Sequence, residues 1–172
     1  MTRSELQPSE FNSYYQRYID KLKSNTSLRE GFKIGQHNVV DFFQNIPQNK
    51  HDFRYDAGKW SIKEILQHLV DTERIFMHRC FRIARRDLTP IAGFDQNTYI
   101  DPSGASTKTL EALLEEFKIN RAHSMSFLSS LSDEDLKFIG NANGSDMSAR
   151  TAAFTILGHD IWHMDVITEK YL

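Results

Sequence analysis

Apolar residues recur along this chain at intervals of three and four, the period of an amphipathic α-helix, in four long stretches. The first stripe reads Leu28, Phe32, Gly35, Val39, Phe42 and Ile46. Ser27-Leu28-Arg29-Glu30 opens it in capping-box form, a Ser oxygen and a Glu carboxylate spaced to satisfy free N–H groups reciprocally. Ser61-Ile62-Lys63-Glu64 is a second such box, with Trp60 and Ile65 placed as a hydrophobic staple across it. The spacing carries this second helix to about Arg86. A third, over roughly 109–131, carries Leu110, Leu114, Phe117, Arg121, Ser124, Leu128 and Leu131. Arg121 and Ser124 stand there where the pattern asks for apolar residues. Ser132 to Asp135 reads as a separate helical turn, and Ser148 as the cap of a fourth long helix ending near Tyr171. Residues 8–24 are ambiguous between a helix and a segment that wraps the body.

Breaks fall at Pro47, at Asp56-Ala57-Gly58, from Pro90 to Gly104, and from Asn141 to Gly144. Four long amphipathic helices with loops between them predict an all-α protein, a four-helix bundle. The 172 residues suit one domain, with 1–25 as an N-terminal extension. The 87–108 connection is long, and long loops commonly line or cover a site.

Composition excludes more than it assigns. With 21 basic and 23 acidic residues the net charge is −2, which argues against a general grip on nucleic acid or on anionic lipid. One Cys cannot form an internal disulfide. No run of about 18 apolar residues occurs, and MTRSELQPSEF has no apolar signal core. The expectation is a cytoplasmic protein with no nucleic-acid or membrane partner. Monomer and homodimer stay open.

The seven His residues carry the chemistry. His159 and His163 stand at i and i+4, so two imidazoles on one helix face can reach one metal ion. Ala152, Ile156 and Val166 share their stripe, which turns the pair toward the core. Buried unpaired polar groups cost about 1–3 kcal/mol each, and a shared metal would satisfy both. His68 on the second helix is the best third ligand; Glu64, Asp71 and Thr72 share its face. Three His with no fourth protein ligand leave a position open, as catalytic metal sites do. Cys80 lies about 120° round the helix from His68, which excludes a zinc finger. His37, His51, His78 and His123 read as surface or locally satisfied residues.

Lys59-Trp60-Ser61-Ile62-Lys63-Glu64 followed by His68-Leu69-Val70-Asp71 resembles the second-helix signature of the DinB-like (DinB/YfiT) superfamily. The stretch from Thr89-Pro90 to Gly93-Phe94-Asp95 and Tyr99 resembles that family's long loop, and Gly158-His159-Asp160-Ile161-Trp162-His163 its last-helix motif. The resemblance spans about residues 28–172 in order. It implies an up-down-down-up bundle and a divalent metal, zinc or nickel, on His68, His159 and His163. It also implies a small-molecule substrate, since some relatives are thiol S-transferases and one branch isomerises maleylpyruvate.

The leading expectation is therefore a metal-dependent enzyme of hydrolase or thiol S-transferase type. Its metal would either lower the pKa of bound water to about 7 or present a low-molecular-weight thiol as thiolate. Asp71 would serve as general base or orient a ligand imidazole, and Arg121 would hold a substrate carboxylate in a cavity beside the metal. One alternative pairs Arg121 with Glu64 or Asp71 and leaves no cavity. Others are a non-catalytic, stress-linked binding module that keeps the metal site as a relic, or a helical dimerisation module packed dry.

Overall fold

The computed structural model describes residues 1–172. Four long helices form its body: α2 (Leu28–Gln44), α3 (Ile62–Ala84), α5 (Leu110–Ser129) and α7 (Ala149–Lys170). Short helices α1 (Gln16–Ile19), α4 (Asn97–Ser103) and α6 (Asp133–Lys137) lie in the connections. The helix starts follow the local chemistry. Ser61 Oγ accepts from Glu64 N while the Glu64 carboxylate accepts from Ser61 N, closing the box at α3. Thr109 caps α5, Ser148 caps α7, and Ser132 closes a box at α6. Ser27 stands at the N-cap of α2, but the reciprocal box does not form there. Met1 O accepts from Leu28 N instead, and Glu30 turns to Lys33.

Each of α2 and α3 packs against both α5 and α7. Arg29, at the start of α2, donates to Leu128 O at the end of α5 and to Leu131 O just past it, so these helices run opposite ways. Tyr171 Oη, at the end of α7, donates to Trp60 O just before α3, which sets those two antiparallel as well. Gln67 meets Glu116 and Phe81 meets Phe127, so α3 and α5 advance together. Phe32, Phe43, Phe117 and Phe154 are wholly buried between the helices. Burying such a side chain stabilises by about 1.5–3 kcal/mol. Near the end of α2 the buried ring is that of Phe43, with Phe42 half-buried, a departure of one residue at that position from the expected stripe.

The helical expectation missed a small sheet. Strands β1 (Ile139–Ala142) and β2 (Ser145–Ser148) pair antiparallel across Asn143-Gly144. Both turn residues have positive φ, 56° and 75°, the conformation of a type I′ hairpin turn. The long connection docks on this hairpin: Ile91 N donates to Asn141 O, and Asn143 N donates to Ile91 O.

Residues 8–24 wrap the body. Glu10 is buried, and its carboxylate accepts from Ser148 Oγ at 2.7 Å and from the Arg150 guanidinium on both oxygens. Phe11, Tyr15, Tyr18, Ile19 and Leu22 join the apolar cluster that α3 and α7 share. No helix is long and apolar enough to cross a membrane.

Candidate metal centre

His68 sits on α3 two turns after its cap, and His159 and His163 sit one turn apart on α7. All three are buried. His159 Nε2 lies 3.0 Å from His68 Nε2 and 3.1 Å from His163 Nε2. Hydrogen bonds explain this convergence poorly. Each neutral imidazole nitrogen offers one N–H or one lone pair, so His159 Nε2 cannot make two full bonds. A cation explains it better. Ligand nitrogens about 2.0–2.1 Å from a tetrahedral zinc stand about 3.3–3.4 Å apart, close to the spacing found. His68, His159 and His163 can thus hold a metal ion together, and no Asp, Glu or Cys completes the cluster.

The electrostatics suit that donor set. Burial pushes His68 down to about 4. Burial, and then the neighbouring imidazoles, hold His159 and His163 well below the ordinary range. Neutral rings keep their lone pairs at neutral pH. Thr72 Oγ1 lies 3.3 Å from His68 Nδ1, one turn along α3, and can fix that ring's tautomer. Aromatic neighbours confine the rings: Trp60 beside His68, Tyr18 beside His159 and Trp162 beside His163, with centroids 4.7, 5.2 and 4.7 Å apart.

The triad opens on a cavity of about 530 Å³. Its other walls come from the N-terminal segment (Tyr15 and Tyr18), the hairpin (Asn143) and the long connection (Phe94). The connection thus lines the cavity, as its length suggested.

Two candidate residues are not brought to the triad. Asp71 turns toward α5. Its Oδ1 accepts from Gln67 at 3.1 Å and from Arg74 at 3.0 Å, in a separate shallow groove with Lys108 and Glu116. Asp71 therefore neither orients His68 nor reaches a group bound beside it; Thr72 holds the first position. Arg121 is wholly buried between α3, α5 and α7. Its Nε and Nη2 meet the Glu73 carboxylate at 2.9–3.0 Å, and Nη2 meets Asp160 at 2.7 Å. Two carboxylates already occupy that guanidinium, so it has no capacity for a substrate. The partners are neither Glu64, which is held by the α3 cap and Arg54, nor Asp71. Burial raises Asp160 to about 6 against the opposing pull of Arg121. Ser124, also buried, donates to Asn120 O. The polar break on α5 therefore marks a buried ion cluster, and the cavity lies elsewhere.

Sequence reasoning missed Tyr18, Tyr15 and Arg79 as cavity residues. Arg79 alone left a signal: it continues the stripe of His68, Thr72 and Phe76 as a charged residue on a buried face. Cys80 is buried outside the triad, its thiol pushed up to about 12.

The chain belongs to the DinB superfamily, whose family model matches residues 32–167. Its fold is similar to that of YfiT from Bacillus subtilis, described as "a probable metal-dependent hydrolase with an unusual four-helix bundle topology". The two share 17% identity at a TM-score of 0.74, over 96% of this chain and 91% of that one. At that identity the likeness is one of fold. No curated protein matches the chain.

Proposed function

We propose that this protein is a metal-dependent enzyme that activates a small nucleophile, water or a thiol, at His68, His159 and His163. One observation carries the reading: three buried, neutral imidazoles converge where a cavity meets the protein interior, with no fourth protein ligand. A structural site would be closed by a fourth side chain. A divalent ion there, zinc or nickel, supplies Lewis acidity enough to deprotonate water or a thiol near neutral pH. The protein's own residues do the rest. The three His hold the ion, Thr72 orients His68, and Trp60, Trp162 and Tyr18 restrict solvent around the rings. The helix pairings support the up-down-down-up course that the family resemblance implies.

No Asp or Glu lines the cavity, so deprotonation of water and of thiol alike would fall to the ion, and the solution assay decides between them. The test is a metal analysis of untagged protein followed by assay of an activated ester with and without a low-molecular-weight thiol. About one divalent ion per chain and metal-dependent turnover are expected, and turnover only with thiol would select the transferase. Turnover equal without thiol would select the hydrolase. Absence of any ion would overturn both in favour of a helical module without metal.

A further inference from the structure

Three arginines of this protein are buried: Arg79, Arg121 and Arg150, at 2%, 0% and 6% exposure. Two are neutralised by carboxylates, Arg121 by Glu73 and Asp160, and Arg150 by Glu10. Arg79 has none. Its Nη1 donates to Tyr15 Oη at 3.3 Å, and its Nε is buried without a partner. Phe76 and Phe94 stack on the guanidinium, its carbon 4.7 and 5.6 Å from their ring centroids. Stacking offsets part of the charge but leaves Nε without an acceptor. Leaving a buried cation without a counter-charge is strongly unfavourable, so a fold keeps one where something binds it.

The surroundings say what that is. Arg79 lines the same cavity as the triad, and no acidic residue does. The only other charged lining residue is Arg17, exposed and stacked on Tyr14. Arg79 lies 11 residues after His68 on α3. Three turns of helix return it to nearly the same azimuth, about 16 Å further along the axis. Thr72 and Phe76 occupy the turns between and also line the cavity. The cavity therefore has a ligating end at the His triad, an aromatic middle and a cationic end.

We propose that Arg79 is the anion-binding subsite of this cavity, and that its substrate or co-substrate is an elongated small molecule carrying a carboxylate or phosphate. The oxyanion lies against Arg79 between Phe76 and Phe94, with the reacting group at the opposite end beside the imidazoles. Guanidinium recognises planar and tetrahedral oxyanions alike through paired N–H donors. This rests on reading the cavity as a substrate site, and extends that reading to the chemical class of the ligand.

Both Trp residues of the chain, Trp60 and Trp162, line the cavity, so intrinsic fluorescence reports on its occupant. The full chain, metal-loaded and chelator-treated, is titrated with 3-phenylpropionate, phenyl phosphate and neutral 3-phenylpropanamide. At least one anion should bind about tenfold or more tightly than the amide. That preference should survive chelation, since it resides at Arg79, and a preference for only one anion tells a carboxylate ligand from a phosphate one. Arg79→Gln should abolish it and Arg79→Lys retain part. Equal binding of the amide, failure of both anions to bind, or an undiminished preference in Arg79→Gln overturns the proposal. The acid–amide comparison needs only the wild-type chain, so it decides even where Arg79→Gln fails to fold. Metal content measured on the same samples separates the two readings: one ion per chain with no anion preference removes the subsite alone.

Discussion

The carbonyl oxygen of Tyr18 lies 2.0 Å from the point where a Cβ on residue 158 would stand. Gly158 is thus what lets α1 lie directly against α7, and α1 carries the Tyr18 ring onto His159. Ala at a helical position ordinarily stabilises by up to about 1 kcal/mol over Gly. Here the added methyl meets backbone, which cannot swing aside, and overpacking of this kind costs about 1–3 kcal/mol. The clash should win. Gly158→Ala is expected to lower stability by about 1–2 kcal/mol, or Tm by roughly 2–8 °C. It should also weaken metal retention by unseating Tyr18. An unchanged or raised Tm by calorimetry would mean that α1 does not dock there.

What could be read in the sequence was local. Caps at Ser61 and Ser148 bond to backbone three residues on, so their signature is contiguous. The His159–His163 pair is fixed by helix period alone. Residues 8–24 gave no answer because what orders them is remote: Glu10 meets Arg150, 140 residues away, and Tyr18 meets Gly158. The hairpin had its turn dipeptide, Asn143-Gly144, but its flanks lack the alternating apolar residues that announce strands. Arg121 was visible as an anomaly and misread. Its role depends on Glu73 and Asp160 from two other helices, and no spacing rule links residues across helices.

His159 is the nitrogen donor common to both close contacts in the triad. His159→Ala is expected to drop metal content from about one ion per chain to near zero, while far-UV circular dichroism keeps its helical signal. Metal content unchanged in His159→Ala, and again in the variant with Ala at positions 68, 159 and 163, would show that the ion sits elsewhere.

Arg121 distinguishes a structural from a substrate-binding guanidinium. Replacing it with Met leaves the Glu73 and Asp160 carboxylates buried without a counter-charge. Removing one partner of such a cluster costs about 3–5 kcal/mol. Arg121→Met should therefore shift the urea midpoint strongly downward. A stable variant that has lost only turnover would instead return Arg121 to the active site.

The Glu10–Arg150 pair fixes how the N-terminal segment should respond to acid. Burial raises the Glu10 carboxyl, but the hydrogen bonds from Arg150, Ser148 and Gln7 outweigh it, and the net effect is a lowered value. A carboxyl with a lowered folded value contributes stability above its unfolded value, about 4.3. That contribution is lost as pH falls through the folded value. Glu10→Gln removes it at every pH, at an expected cost of about 1–3 kcal/mol near neutrality, the scale of hydrogen bonds to charged groups. Urea unfolding of both chains from neutral to strongly acid pH should show a constant gap down to about pH 5, narrowing steadily below about 4. Limited proteolysis should cut the variant earlier within residues 1–25, because the anchor that ties them to β2 and α7 is the one removed. A gap that widens on acidification would mean that Glu10 is raised, not lowered, and that Arg150 does not hold it.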